Sequence, residues 1–256
     1  EELSKLKSIF PNASISGFTA TADKQTRNDI SEKLAIEKSN IIIKGFDRPN
    51  LFLEVKEKDS LKPTLLSYLK KRKGLSGIVY CLSRRETDEL TVFLSANGYN
   101  AIAYHAGKTS EYRREAYDKF VTDSDIVMVA TIAFGMGIDK SDIRYVVHVS
   151  LPGSIEAFYQ EIGRAGRDEL PAETLLFYGL GDLIQRQRMI LKGEGDEKFK
   201  LFEYKRLEAL IGYCEAISCR RKVLLGYFDQ QILKCDNCDN CIYPPSVKDY
   251  SDEAKI

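Results

Sequence analysis

The strongest sign of chemistry in the sequence is a group of four cysteines near its carboxyl end. Cys219 is followed by Cys235, Cys238 and Cys241, so the last three recur at intervals of three residues. Four closely spaced thiolates suit a tetrahedral Zn²⁺ ion, and four protein ligands leave no position for a reacting water. The spacing therefore predicts a structural zinc site. The alternative is four buried reduced thiols or redox cysteines.

Three cations follow the first of these cysteines directly, at Arg220, Arg221 and Lys222. They can offset the negative charge that four thiolates leave around a divalent ion. The same side chains can instead contact phosphate groups of a nucleic acid. The sequence leaves these two roles open.

A second segment, residues 160–168, combines one amide with two guanidinium groups and two glycines. If a helix continues through it, Gln160, Arg164 and Arg167 lie at i, i+4 and i+7 and share one face. Arginine binds phosphate oxygens through paired hydrogen bonds, and two arginines at the edge of a sheet resemble the clamp that stabilises phosphoryl transfer. The alternative is a solvated helix end in which Glu161 and Asp168 serve as ion-pair partners.

A third segment is a glycine-bearing loop that follows an apolar run and occupies residues 130–139. Gly135 and Gly137 can free backbone N–H groups for a phosphate, and Thr131 offers a hydroxyl. Asp139 is placed to accept a hydrogen bond from a ribose or to orient an arginine. Because any loop between a strand and a helix can hold glycines, this loop alone does not favour a nucleotide site over an ordinary turn.

No complete phosphate-binding P-loop accompanies these segments. Gly107, Lys108 and Thr109 follow a predicted strand and precede a predicted helix, but Ile102 stands where the motif requires its first glycine. No Asp-Glu pair ends an apolar strand to hold Mg²⁺. The sequence therefore predicts that this chain alone does not hydrolyse ATP.

Composition narrows the class of protein. The 256 residues are 43% apolar and carry 38 basic against 38 acidic side chains, which excludes a histone-like polycation and an acidic solvating segment. No apolar run approaches the length of a membrane span. Five of the six cysteines lie between 214 and 241, which is too uneven for the disulfide framework of a secreted domain and favours an intracellular protein. The first residues resemble no signal peptide, and we expect the chain to begin inside a longer parent protein.

The elements that must position these groups follow from hydrophobic patterning. From residue 40 to about 193, β-branched runs alternate with amphipathic stretches, as is typical of βαβ units on a parallel sheet. The predicted strands are 41–44, 51–55, 77–82, 101–104, 126–131, 144–149 and 174–178. The predicted helices are 61–73, 85–96, 110–121, 154–162 and 181–192. Beyond residue 196 the pattern predicts a helix over 200–215 and a small cysteine-bearing helical module.

Taken together, the segments resemble the RecQ family of superfamily 2 DNA helicases over nearly the whole chain. Helicase motifs III, IV, V and VI are matched by residues 17–22, 78–84, 131–139 and 160–168. Residues 46–50 are similar to the family's hinge between its two RecA-like lobes, and residues 104–107 to the segment after motif IV. The cysteines match the zinc module that separates this family from other superfamily 2 helicases. Lys108 departs from the family pattern, which usually has an apolar residue there.

The resemblance implies an α/β fold, with a RecA-like parallel sheet flanked by helices and followed by a small helical zinc-binding subdomain. It implies that residues 1–48 end the first lobe and form the hinge, and that 49–194 form the second lobe. Residues 195–245 are then the zinc subdomain, and 246–256 begin a winged-helix domain. Motifs I and II, which bind ATP and Mg²⁺, belong to a preceding part of the parent.

The same resemblance assigns the nucleotide site. Arg164 and Arg167 are expected to reach the γ-phosphate of ATP bound between the two lobes, with Gln160 beside them. Gly137 and Asp139 are expected to help hold the nucleotide.

It also assigns the contacts with DNA and the metal. Residues expected to touch a DNA strand are Ser83, Arg84, His105, Thr131 and Phe134. Thr19 and Thr21 are expected to couple closure of the lobes to DNA binding. Cys219, Cys235, Cys238 and Cys241 are the expected zinc ligands.

The activity implied is ATP-dependent 3′→5′ unwinding of DNA in repair and recombination, with single-stranded or duplex-junction DNA as the partner and no membrane association. Two alternatives remain at this stage. One is a zinc-stabilised DNA-binding or protein-binding module without catalysis. The other is an RNA helicase of the same superfamily, because motifs III to VI do not exclude it.

Overall fold

A computed structural model describes residues 5–19, 24–135 and 137–246 of the chain. Its six strands are β1 Leu51–Glu57, β2 Gly77–Tyr80, β3 Asn100–Tyr104, β4 Ile126–Ala130, β5 Tyr145–His148 and β6 Ala172–Tyr178. Helices α1 to α5 are Leu6–Ile9, Lys24–Lys33, Leu61–Lys70, Arg84–Ala96 and Ser110–Thr122. Helices α6 to α10 are Ile155–Ile162, Leu180–Lys192, Glu197–Glu215, Arg220–Tyr227 and Asp239–Ile242.

The strands form one parallel sheet in the order β1-β6-β5-β2-β4-β3. The central strands β2, β4 and β5 are buried along their whole length, because helices cover both faces of the sheet. On one face, Met128 packs with Phe120 of α5 and Phe158 of α6. On the other, Val129 packs with Leu69 of α3 and with α4. This arrangement confirms the predicted α/β class.

Parallel strands place their carboxyl ends at a common edge, and the following loops meet there. Three helices begin at this edge with a hydroxyl cap, in which the side chain accepts a backbone N–H of the first turn. The capping residues are Ser83 for α4, Thr109 for α5 and Ser154 for α6. The caps fix where each loop ends, and so they fix the positions of the candidate residues in those loops.

The carboxyl-terminal helices pack onto this sheet domain. Tyr213 of α8 meets Phe158 of α6 with ring centroids 5.1 Å apart. The cysteine-bearing segment lies along the outer side of β1, where Leu53 pairs with Cys238 and the backbone N–H of Val55 donates to the Asp239 carboxylate at 3.0 Å. Within the described residues, no helix is long and apolar enough to cross a membrane.

One predicted strand is wrong. Residues 41–44 adopt no regular structure, and 87% of Ile42 is exposed. A strand needs a neighbour to bond its backbone groups, and no described strand lies beside this segment. The apolar run indicated a strand, but hydrophobic pattern alone does not supply a partner.

Candidate functional site

The four predicted zinc ligands come together in space. Their sulfur atoms all lie within 4.8 Å of one another, and Cys235 Sγ and Cys241 Sγ are 3.8 Å apart. With Zn–S bonds of about 2.3 Å, the edge of a tetrahedral site is about 3.8 Å, so this spacing fits zinc. None of the four is in a disulfide.

The thiols differ in acidity. Burial raises the pKa of Cys238 to about 12. Burial also acts on Cys241, but hydrogen bonds from the backbone of Cys235 and from neighbouring thiols outweigh it and lower the pKa of Cys241 to about 7. Metal ligands must be deprotonated, so binding at neutral pH has to displace a proton from Cys238.

The cations beside the cysteines divide into two kinds. Arg220 is buried, pairs with Asp239 at 3.0 Å and donates to the Tyr213 carbonyl oxygen at 2.8 Å. Arg221 is also buried and binds the Asp47 carboxylate and two backbone carbonyl groups. Lys222 is exposed. The two arginines therefore bond within the protein and are not available to a phosphate.

The segment with two arginines does not continue the helix. Helix α6 ends at Ile162, and residues 163–168, here called the arginine loop, form successive turns in which Gly166 has a left-handed φ of +56°. The helix ends where it was predicted to end, so the condition for a helical face shared by Gln160, Arg164 and Arg167 is not met. Glycine tolerates the left-handed turn because it has no Cβ.

The turns still bring both arginines to one place. Arg164 donates to the carbonyl oxygen of Gly135, and Arg167 donates to that of Ile138 at 2.5 Å. Both acceptors belong to the glycine-bearing loop after β4. A guanidinium has five N–H donors, so each arginine keeps donors beyond these bonds. Arg167 is exposed and Arg164 half-buried.

The two acidic residues of this segment, Glu161 and Asp168, have other partners. Asp168 pairs with Arg144 at 2.5 Å, and that guanidinium holds the pKa of Asp168 below its usual range. Glu161 lies 2.7 Å from His148 Nε2. The alternative in which Glu161 and Asp168 pair with the two arginines at a solvated helix end is therefore not what the structure shows.

A cavity of about 380 Å³ opens beside Arg164 at the carboxyl edge of the sheet. Gln160, on the last turn of α6, lies on its wall, as do Ile132 and Gly135. Gly137 and Asp139 follow on the exposed part of the same loop. Of the residues predicted for a nucleotide site, Gln160 and Arg164 line this cavity, whereas Gly137, Asp139 and Arg167 do not.

The DNA-contact prediction for Phe134 is wrong. Only 2% of this residue is exposed, because its N–H donates to the Thr131 carbonyl and the resulting turn directs the ring into the core. There the ring contacts Tyr104 and Phe120 at centroid distances of 4.7 and 5.3 Å. No ring face remains for a base. Thr131 itself is half-buried, and its hydroxyl accepts the Ala133 N–H at 3.4 Å.

The direct DNA contact predicted for His105 is also wrong. The residue is 4% exposed, its Nε2 lies 3.1 Å from both oxygens of Asp88, and its Nδ1 accepts the Gly107 N–H at 3.1 Å. Both ring nitrogens are therefore used within the protein. Lys108, which departs from the family pattern, binds the same Asp88 carboxylate at 2.8 Å and with His105 lowers its pKa. No pattern in the sequence indicated Asp88, because it lies on α4 and not in the loop of His105 and Lys108 that it binds.

Four other predicted residues are two DNA contacts and two coupling residues. Ser83 and Arg84 are exposed at the start of α4, and the Ser83 hydroxyl accepts the Glu86 N–H at 3.1 Å. Thr19 is exposed. Thr21 lies outside the described residues.

Sequence reasoning identified residues 46–50 only as a hinge and missed their contacts with the arginine loop. Arg48 donates to the carbonyl oxygens of Gly163, Ala165 and Gly166 at 3.3, 3.0 and 2.7 Å. Asn50 donates to the Gly166 carbonyl at 2.9 Å. More than 110 residues separate the partners, so no local pattern could reveal them.

Two family models match the parts of the chain that carry these residues. The helicase conserved C-terminal domain model matches residues 60–169, which include the arginine loop. The RecQ zinc-binding model matches residues 180–242, which include all four cysteines. The four-cysteine centre is therefore a structural zinc site.

Curated relatives match nearly the whole chain. The ATP-dependent DNA helicase RecQ of Pasteurella multocida is 43% identical over 249 residues, 97% of this chain and 39% of that protein. The ATP-dependent DNA helicase Q1 of Pongo abelii is 40% identical over 92% of this chain and 37% of its own. A protein of Acanthamoeba polyphaga mimivirus, provisionally named an ATP-dependent RNA helicase, is 38% identical over 94% of this chain and 44% of its own.

The chain spans about two fifths of the length of the first two of its curated relatives. What it shares with them runs through both the helicase domain and the cysteine module. The chain therefore belongs to the RecQ family of superfamily 2 helicases, of which it carries the conserved C-terminal helicase domain and the zinc-binding region.

Proposed function

We propose that this chain is the part of an ATP-dependent DNA helicase that completes the ATP site and holds one DNA strand. The observation that carries the proposal is the meeting of Arg164 and Arg167 at the loop after β4, with guanidinium donors left over at an open edge of the sheet. ATP and Mg²⁺ would be bound chiefly by a preceding lobe of the longer protein. The names of the DNA helicases that resemble this chain support the same activity.

The proposed division of the chain follows the family pattern. Residues 1–48 would end the first lobe and provide the hinge, and 49–194 would form the second lobe. Residues 195–245 would form the zinc subdomain, and 246–256 would begin a further domain. The sheet and its helices fall within the second of these parts, and the cysteine centre within the third.

In the ATP site, the two arginines would act on charge that develops on the transferred phosphoryl group. Arg164 and Arg167 are already held by carbonyl oxygens, so donating their remaining N–H groups to phosphate oxygens requires little reorganisation. Gln160 would orient the attacking water or a phosphate oxygen. Gly137 has a φ of +80° and no side chain, which lets the backbone approach the nucleotide, and Asp139 would accept from the ribose.

The DNA strand would lie along the carboxyl edge of the sheet. The Ser83 hydroxyl accepts the capping bond and keeps its own O–H for a phosphate, while the amino end of α4 and Arg84 attract the same charge. Thr131 would add a second hydroxyl. Such contacts track the backbone, so little sequence preference is expected. His105 and Phe134 would support this surface from within and would not touch the strand.

Movement would follow from closing and opening of the cleft between lobes. Thr19 and Thr21 would couple closure of the cleft to DNA binding. Repeated cycles of closing and opening would move the second lobe along the strand in the 3′→5′ direction. The zinc subdomain would brace the second lobe against the hinge.

The test uses the full-length protein, with its preceding lobe. Arg167→Ala should lower DNA-stimulated ATP turnover by roughly 10³-fold or more, as removal of an arginine finger does, while nucleotide binding largely survives. Arg114→Ala is the control, because Arg114 is exposed on α5 and takes no part in the proposed site. Unchanged turnover in the Arg167 variant would reject the assignment.

A second candidate is an RNA helicase, which the name of the mimivirus relative favours. The two candidates differ in the strand that stimulates ATP turnover. Single-stranded DNA and RNA of matched sequence should be compared with the same full-length protein, and stronger stimulation by RNA would support the second candidate.

A further inference from the structure

We propose that residues 46–51, here called the tether, transmit the position of the zinc-binding region to the arginine loop. In this arrangement Arg48 and Asn50 are positioning residues for Arg164 and Arg167. The catalytic consequence depends on the function proposed above, but the positioning itself does not.

The first link joins the tether to the arginine loop. Helix α6 ends at Ile162, so the carbonyl groups that follow have no helical partners. Arg48 donates to three of them, and Asn50 donates to the carbonyl groups of Gly166 and Leu170, both at 2.9 Å. Two side chains of the tether thus bind the backbone on both sides of Arg164 and Arg167.

The fit around Gly166 shows how closely the two segments approach. A Cβ placed on Gly166 would lie 2.5 Å from Asn50 Nδ2 and 2.8 Å from the Leu170 carbonyl oxygen. From the opposite side, the Gly166 N–H donates to the Ile143 carbonyl at 2.8 Å. The loop is therefore held between the tether and the sheet domain, with little freedom to shift.

The second link joins the tether to the zinc-binding region. Arg221, two residues after the ligand Cys219, pairs with Asp47 at 2.8 Å and donates to the backbone carbonyl groups of Arg48 and Leu51. Arg221 is buried. The planar Arg221 guanidinium thus makes three bonds to the tether, and together they fix the tether's position against the zinc-binding region.

A second contact comes from between two zinc ligands. Asn237 lies between Cys235 and Cys238, and its side-chain amide donates to the Pro49 carbonyl at 2.8 Å. Pro49 separates the two tether residues that bind the arginine loop. Any shift of the Cys235–Cys238 turn therefore acts on the tether at its middle.

The start of the tether is anchored by aromatic packing. The Phe46 ring stacks on Phe228 with a centroid distance of 4.8 Å, and the Phe46 N–H donates to Gln230 Oε1 at 2.7 Å. The Tyr159 hydroxyl, from α6, donates to the Phe46 carbonyl at 2.8 Å. The tether thus contacts α6, the arginine loop and the zinc-binding region. Displacement of one of these three elements therefore shifts the tether and, through it, the other two.

The structural arm of the test measures amide hydrogen exchange in the full-length, zinc-loaded protein. In Arg48→Ala and Asn237→Ala, exchange across residues 163–170 should rise severalfold, whereas Lys234→Ala, an exposed control beside the same cysteines, should leave it unchanged. All four thiols remain in each variant, so zinc content should stay at one per chain. Unaltered exchange at 163–170 in both test variants would overturn the proposal.

The kinetic arm separates positioning from binding. Arg48→Ala should lower kcat for DNA-stimulated ATP turnover by about tenfold with little change in KM for ATP, because Arg48 contacts the loop and not the ligand. Arg48→Lys keeps the charge but lacks the planar fork that binds three carbonyl groups, so its kcat should lie between those of the wild type and Arg48→Ala. This variant replaces Arg48→Ala in the test if the alanine variant does not fold.

The two proposals fail in different ways. If the wild-type full-length protein shows no DNA-stimulated ATP turnover, the proposed function is wrong and hydrogen exchange alone decides the positioning. If the wild type is active and both Arg48 variants match it in kcat, the catalytic consequence is wrong, and hydrogen exchange decides whether the tether holds the loop.

Discussion

Replacing Gly166 by alanine gives the sharpest test of how the arginine loop is built. The residue has a φ of +56°, where an L side chain costs about 1 kcal/mol. The new Cβ would also lie 2.5 Å from Asn50 Nδ2 and 2.8 Å from a backbone oxygen, so Asn50 must give up its two hydrogen bonds, each of about 1 kcal/mol. Gly166→Ala should therefore lower the free energy of unfolding by about 3 kcal/mol.

The chain offers a matched control for this substitution. Gly137 has a φ of +80°, but a Cβ there meets nothing within 4 Å. Gly137→Ala should therefore cost the backbone strain alone, about 1 kcal/mol. Urea unfolding of wild type and both variants, followed by circular dichroism at one temperature, measures the difference between them. Equal losses in the two variants would show that the contact with Asn50 contributes nothing and would refute the reasoning.

Two further predictions concern the zinc centre and the turn after β3. Cys238→Ser should reduce bound zinc from one per chain to well below that and destabilise the carboxyl-terminal helices, and metal analysis of purified protein together with thermal unfolding checks both. Asp88→Asn should remove a stabilisation that exists because Lys108 and His105 lower the pKa of this carboxyl group. That stabilisation is present above the ordinary aspartate pKa of about 4 and is lost as pH falls through the lowered value. The gap in stability between wild type and variant should therefore be widest near pH 6 and close at acid pH, and urea unfolding across this range would contradict the assignment if the gap stayed constant.

Much of the fold follows from local patterns. The runs at 77–82 and 126–131 predicted the central strands within one or two residues, because a strand buried on both faces needs a continuous apolar sequence. The spacing of the four cysteines likewise predicted their meeting, since three of them are close in the chain. Both successes depend on interactions that a short window of sequence contains.

The failures share a different cause. The predicted helix over 154–162 ends where α6 ends, but the turns that follow it are held by the Arg48 guanidinium, which no pattern in the sequence indicated. The Arg48 donors lie more than 110 residues away, so no window of the sequence includes them. For such a segment, the hydrophobic period predicts where the helix ends but not how the residues after it are held.

The sequence also did not predict the direction in which single side chains of loops point. Phe134 and His105 stand in segments that favour ligand contact, yet both point inward. In a strand the side chains alternate, so their direction follows from register. In a tight turn the direction depends on the backbone angles of each residue, and those angles follow from packing that spacing does not reveal.

The position of the cysteine segment along β1 has a consequence beyond catalysis. A strand at the edge of a sheet presents unpaired N–H and C=O groups, which can recruit a strand from another molecule and start aggregation. Here Cys238 and Asp239 occupy that side of β1, through the pairing with Leu53 and the bond from Val55. The segment that carries the zinc ligands thus covers part of the β1 edge, and its release on removal of the metal would leave those backbone groups open to a strand of another molecule.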